Sequence, residues 1–317
     1  MVRDRYQDDI RHAERDKRIK RPAIRQQAPS APAAEGAGEE ALVIGVGPGV
    51  CRVRTATQDR ICRTKKGVIV GDRVTVDEHR VLSVLPRRTV LARNDPRNPR
   101  NERALAANVD IVVIVASVHS PPLRTGLIDR YLIATQNGNM QPVIVINKID
   151  LLQDQRELEE LDAYRDIGVP LVLCSTREGR GLEELRSLLK GKICVFSGHS
   201  GVGKSSLLNA LAPGLELKTG EVEYKGRHTT TASTLHELPG DTLIIDTPGI
   251  REFGLFGVEA DDLLQFFPEL EEHASDCNFA NCTHTHEPVC AVRDAGQPRY
   301  GIYVRLRESL KNDLKNE

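Results

Sequence analysis

GHSGVGKS (198–205) stands between the apolar run KICVF (192–196) and the helix-forming stretch KSSLLNAL (204–211). The pattern G-x-x-x-x-G-K-[ST] at a strand-to-helix junction predicts a phosphate-binding loop, because glycines let successive backbone N–H groups wrap an anion at a helix N-terminus. Gly198, His199, Ser200, Gly201, Val202 and Gly203 would form the loop. Lys204 would reach the β- and γ-phosphates, and the Ser205 hydroxyl would take a place on Mg²⁺, with Ser206 following in the first helical turn.

Working outward, short apolar runs alternate with helical periodicity on both sides of this loop. VDIVVIVAS (109–117), PVIVINKID (142–150), VPLVLCS (169–175) and KICVFSG (192–198) are separated by LIDRYLIATQ (127–136), LEELDAYRD (158–166) and LEELRSLLK (182–190). That alternation predicts an α/β domain, a mostly parallel sheet wrapped by helices. DTPG (246–249) ends the strand TLIID, where Asp246 can reach the Mg²⁺ shell and the Gly249 N–H can sense a γ-phosphate.

NKID (147–150) closes the strand PVIVI and speaks to the base. The Asp150 carboxylate can accept from both the N1–H and the exocyclic amine of guanine, a donor pair that adenine lacks. Asn147 and Lys148 would brace the loop and the ring. Cys174-Ser175-Thr176 ends the next strand, where a backbone N–H can meet guanine O6. Ordinary GTPases run from the phosphate loop through DxxG to NKxD; here NKID and CST precede the phosphate loop and DTPG comes last. The order is circularly permuted.

KGRHTTT (225–231) is the stretch between phosphate loop and DTPG that can supply a threonine for Mg²⁺. Thr230 is the choice, with Thr229 and Thr231 left open beside it. Ile250 stands where many GTPases carry a water-orienting Gln, so another group must do that work; His228 is the polar candidate, and a solvated loop histidine is its plain alternative. The expected catalytic set is therefore Lys204, Thr230 and His228.

Before the α/β region, ALVIGVG, VCRVRT, GVIVGDRVTV and RVLSVLP (41–86) give about five short β-branched runs broken by Gly, Asp and Pro, the pattern of a small antiparallel barrel of the OB type. Residues 1–40 carry nine Lys/Arg against five Asp/Glu in their first 25 positions and then QQAPSAPAAEGAGEE, a composition expected to stay a disordered basic tail and linker. PRRTVLARNDPRNPRNER (86–103) concentrates arginine between barrel and α/β region, suiting an RNA backbone. The net charge of −1 over 317 residues hides this asymmetry.

Of seven cysteines, Cys51, Cys62, Cys174 and Cys194 are scattered. Cys277-x₄-Cys282-x-His284-x₅-Cys290 supplies three thiolates and an imidazole, the ligand set of a closed tetrahedral structural zinc site, with His286 as an alternative to His284. The segment 259–273 reads as helix, and Tyr300, Tyr303, Val304, Leu310 and Leu314 fall near one face of a closing helix. The absence of a long apolar run or signal-like N-terminus predicts a soluble, cytoplasmic chain.

NKID, CST, GHSGVGKSS, RHTTT, DTPGIREFG and the CxxxxCxHxxxxxC cluster together resemble the circularly permuted bacterial GTPases of late small-subunit maturation, the ribosome small subunit-dependent GTPase A family. The resemblance covers about residues 41–310. It implies an OB-fold at 41–95, a permuted GTPase domain at 96–255 and a helical zinc-binding domain at 256–317, behind the 1–40 tail. It places GTP binding on Asn147, Lys148, Asp150 and Gly198 to Ser206, and zinc on Cys277, Cys282, His284 and Cys290. It further implies a monomer that binds GTP with Mg²⁺, docks on 16S rRNA in the 30S subunit, hydrolyses GTP and leaves; neither DNA nor membrane is an expected partner. The alternative is an RNA-binding switch in which nucleotide binding rather than turnover matters.

Overall fold

The computed structural model describes residues 38–65, 67–95, 98–212, 234–246, 255 and 257–315. Five short strands come first: β1 (Glu39–Gly47), β2 (Val50–Arg54), β3 (Asp59–Arg63), β4 (Arg73–Val76) and β5 (Val81–Val84). Their alternation sends Val43, Cys51, Val53, Cys62, Val74 and Val76 into one apolar core, while Val50, Arg52 and Ile61 face outward. β1 pairs antiparallel with both β2 and β4, β2 with β3 and β4 with β5. A parallel bridge between Arg63 and Arg80 brings β3 beside the start of β5. The order 1-2-3-5-4 thus returns to β1, the closure of an OB-fold.

β6 (Val90–Asp95) and β7 (Asn98–Ala107) form a separate antiparallel ribbon. β6 stands before and β7 after the boundary expected at 95/96 between barrel and GTPase domain. The ribbon's arginines break the apolar alternation by which strands are recognised, so the sequence points to RNA contact and to no strand here.

The α/β region follows with β8 (Ile111–Ser117), α1 (Thr125–Asn137), β9 (Gln141–Asn147), α2 (Asp162–Asp166), β10 (Leu171–Leu173), α3 (Leu182–Leu189), β11 (Ile193–Ser197), α4 (Lys204–Leu211), β12 (Thr234–Leu238) and β13 (Thr242–Asp246). The order is β10-β9-β8-β11-β13-β12, parallel as far as β13; β12 is antiparallel to β13. β12 went unread because TLHEL has too few apolar residues to announce a strand. Every residue of β8 is buried, as befits a parallel strand covered on both faces. Leu185 and Leu189 of α3 and Leu207 and Leu211 of α4 close one face over Val113, Val115, Val143 and Val145, while α1 lies against β8 and β9.

The chain divides into two compact units. Of the described residues, the larger holds those up to Glu160 together with Leu171–Val258; the smaller takes in Leu161–Pro170 with Glu259 onward. In the smaller unit α5 (Pro268–Glu271), α6 (Ala291–Asp294) and α7 (Tyr300–Lys315) accompany α2. The continuous helix expected over 259–273 is broken: a 3₁₀ turn covers Leu263–Phe266, and Phe267 leaves the helical region, at φ −125° and ψ 73°, before Pro268 opens α5. A proline pushes its predecessor out of the helical region, so the break is dictated locally. On α7 the buried face centres on Ile302, Tyr303, Leu306 and Arg307, while Tyr300, Val304 and Leu310 are half-buried. No helix among the described residues is long and apolar enough to cross a membrane.

Candidate functional site

Three loops leave the carboxyl ends of parallel strands of one sheet: 198–203 from β11, 148–150 from β9 and 174–176 from β10. Open α/β sheets bind ligands at this edge, where strand ends gather loops from adjacent crossovers. The Asn147 amide donates to Val202 O at 3.0 Å, and the Lys148 ammonium to Gly201 O at 2.7 Å and to Ser120 O. The loop after β9 therefore grips the loop after β11 through two side chains. Lys204 turns back on the carbonyls of Gly198 and His199 at 2.7 and 2.9 Å, and His199 Nδ1 lies 2.8 Å from Ser200 O. Ser205 and Ser206 occupy the first turn of α4.

Two glycines are required by geometry. Gly198 has φ +146°, and a Cβ there would lie 2.1 Å from Val115 O; Gly203 has φ +95°, and its Cβ would fall 2.4 Å from Asn147 Nδ2. Gly198→Ala drives a methyl into backbone that cannot rotate away. The expected loss is about 3 kcal/mol of unfolding free energy, to be read as a lowered urea midpoint with an unchanged slope.

Asp150 and Ser175 meet. Ser175 Oγ donates to Asp150 Oδ1 at 2.6 Å, and its own hydroxyl accepts from Glu178 N at 3.2 Å. That hydroxyl, with Arg177 and Lys148 nearby, holds the Asp150 carboxyl below the usual carboxylate range, so the acceptor is fully ionised at neutral pH. The Ser175 amide, in contrast, donates to Arg180 O. Ser175 thus orders a carboxylate with its side chain rather than offering its own N–H. His228, Thr230 and Gly249, with Thr229, Thr231 and Ile250, lie outside the described residues; Asp246 is placed only as the last residue of β13.

In the smaller unit, Cys277, Cys282, His284 and Cys290 bring their ligand atoms within 4.8 Å of one another. Cys277 Sγ is 4.0 Å from Cys290 Sγ, and His284 Nδ1 is 3.5 and 3.6 Å from these two sulfurs. A tetrahedral zinc with its usual bond lengths needs S···S edges of about 3.8 Å and S···N edges of about 3.6 Å. The residues fit. His286 does not join them; its side chain is 78% exposed and its Nδ1 lies beside Thr285 Oγ1.

Sequence reading missed what presents His284. The Glu287 carboxylate accepts from Thr283 N, Thr283 Oγ1, Thr285 N and His286 N. Burial alone would raise its pKa, but the bonds from Thr283 and Thr285 overturn this and hold it well below the usual range. Tyr300 and Tyr303 of α7 donate their hydroxyls to His284 O and Thr283 O, each at 3.0 Å. Cys290 caps α6, its sulfur accepting from Arg293 N. The other cysteines are packing residues: burial pushes the Cys51 thiol up to about 11 and the Cys174 thiol up to about 12.

The model of the RsgA GTPase family matches residues 84–256, more than half of the chain. The chain belongs to the RsgA GTPase family. A protein of Chlorobaculum parvum named small ribosomal subunit biogenesis GTPase RsgA is 39% identical over 91% of this chain and 92% of its own length. YjeQ from Thermotoga maritima superposes with a TM-score of 0.70 at 31% identity, covering 86% of this chain and 98% of that one. YloQ, described as a circularly permuted GTPase, does so at 0.65 and 26% identity over 90% and 99%. The expected resemblance to the permuted GTPases is therefore borne out, as is the architecture of barrel, permuted α/β domain and Cys/His-bearing helical region. As a member of an RsgA-type GTPase family the chain hydrolyses GTP, with Mg²⁺ as the nucleotide's counter-ion.

Proposed function

We propose that this GTPase acts in late maturation of the small ribosomal subunit, docking on 16S rRNA of the 30S particle in its GTP form and leaving after hydrolysis. The observation that carries the reading is the permuted site itself: the loops after β9, β10 and β11 converge at one sheet edge, in a chain whose relatives bear the small-subunit name. In this reading Asp150 reads guanine, Asn147 and Lys148 brace it, and Gly198 to Ser206 hold the phosphates. Ser205, Thr230 and Asp246 serve Mg²⁺, the Gly249 N–H senses the γ-phosphate, and His228 orients water. Cys277, Cys282, His284 and Cys290 hold one structural zinc, which would fix the fold of their loop and leave no open position for chemistry. The chain works as a cytoplasmic monomer, with 41–95, 96–255 and 256–317 as its three functional modules.

Lys204 already sits on two loop carbonyls, so a phosphate oxygen needs only to replace them. Lys204→Ala is expected to lower turnover by about a thousandfold, on the scale of losing one electrostatic stabiliser of the transition state, while zinc content stays intact. Steady-state GTP turnover with and without 30S subunits tests the whole reading. Stimulation by 30S that collapses in Lys204→Ala is the expected result; turnover indifferent to 30S would overturn the ribosomal assignment, leaving the alternative in which binding is what counts. Because docking pairs Lys and Arg with phosphates, the stimulation should fall as salt rises.

A further inference from the structure

Arg299 is 2% exposed and stands immediately before α7. Its guanidinium carbon lies 4.5 Å from the Phe267 ring centroid and 5.4 Å from that of Tyr164, and its Nη1 donates to both Glu269 oxygens at 2.9 and 3.1 Å. A buried guanidinium between two aromatic faces and a carboxylate is a strong, orientation-dependent clamp. Tyr164 is itself fully buried.

The two ends of this clamp have different origins in the chain. Phe267, Glu269 and Arg299 come from the metal-bearing region. Tyr164 belongs to α2, in the segment Leu161–Pro170, which groups with that region although it is drawn from the middle of the GTPase sequence. The segment lies between Asp150 and Ser175. On its far side Pro170 runs straight into β10, whose register is fixed against β9, and the residue directly after β10 is Cys174, whose carbonyl accepts from Ile149 N at 3.1 Å. One residue later Ser175 holds the Asp150 carboxylate.

At its other end, α7 starts from the Arg299 carbonyl, which accepts from Ile302 N and Tyr303 N, and in its first turn Tyr300 and Tyr303 grip the loop that presents His284. A contiguous path runs from the metal loop through α7, Arg299, Tyr164, α2 and β10 to Ser175 and Asp150. We propose that Arg299 and Tyr164 are positioning residues for base recognition, so that the metal-bearing region sets how tightly and how selectively guanine is held. This rests on the reading of Asp150 as the guanine acceptor. A partner that reorients the metal-bearing region would thereby change nucleotide affinity, and by linkage guanine nucleotide would change the partner's affinity by the same factor.

The test uses the full, zinc-loaded chain and compares affinities for GDP and IDP, since inosine lacks the exocyclic amine that Asp150 would accept from. Tyr164→Leu removes the ring and Arg299→Lys keeps the charge beside Glu269 without the planar stack; Tyr164→Phe keeps the ring. Tyr164→Leu and Arg299→Lys should each shrink the GDP-over-IDP preference about tenfold, with Tyr164→Phe within about twofold of wild type. A purely structural role would lower both affinities together and leave their ratio alone. An unaltered ratio in Arg299→Lys, the variant expected to fold, overturns the coupling alone. A wild-type chain indifferent between GDP and IDP overturns the guanine reading, and the coupling with it.

Discussion

Replacing Asp150 by asparagine is expected to weaken GTP binding about a thousandfold and to turn the preference toward XTP. The carboxylate offers two acceptors to the paired donors of guanine, whereas an amide offers one acceptor and one donor. Ser175 decides which way the amide points. Its hydroxyl donates to Asp150 Oδ1 at 2.6 Å, and in the variant it would hold the amide oxygen at that position, leaving its second lone pair to one guanine donor and placing the NH₂ opposite the other. That NH₂ opposes the guanine amine but meets the 2-oxo group of xanthine, so loss for one base is gain for the other. Sites built to hydrogen-bond a group discriminate by factors of about 10⁴ when the partner is removed, and the figure here is tempered because one of two bonds survives. Titration with GTP, XTP and ATP reads the result; affinities unchanged from wild type would mean that guanine is read elsewhere.

The parts of this site that were legible in the sequence are those where a local rule fixes the residue. Gly198 and Gly203 had to be glycine because of backbone conformation and close approach, and an all-apolar β8 had to be a covered parallel strand. Cysteine and histidine spacing announced the metal cluster for the same reason: few other chemistries need three thiolates so close together. What stayed hidden depends on contacts far apart in sequence. Glu287 looks like any surface acid until four donors converge on it, and the hydroxyls of Tyr300 and Tyr303 read as part of an apolar stripe. Helical periodicity in LEELDAYRD found α2 and could not say which compact unit would bury Tyr164. Pro268, by comparison, was a legible stop signal inside a stretch read as one helix, and its steric demand on Phe267 won over the periodicity.

Cys290→Ala is expected to abolish zinc binding and to unfold the region from Glu259 onward, loosening Leu161–Pro170 with it, while the larger unit stays folded. Cys290 is fully buried, sits within reach of Cys277 and His284, and also supplies the N-cap of α6, so one substitution removes a ligand and a helix start. The apolar core here is small, built around Phe267, Leu270, Val292, Ile302, Tyr303 and Leu306; a structural zinc site is worth roughly 10 kcal/mol or more of apparent binding energy, which such a core cannot replace. Metal analysis of the purified variant should give close to no zinc against about one per chain in wild type, and proteolysis should cut within 259–315 first. His284→Ala should behave likewise. His286→Ala should retain zinc, because that imidazole is 78% exposed and turned to Thr285. A full zinc complement in Cys290→Ala would dismiss the four-ligand assignment, and zinc lost from His286→Ala but kept in His284→Ala would exchange the two histidines.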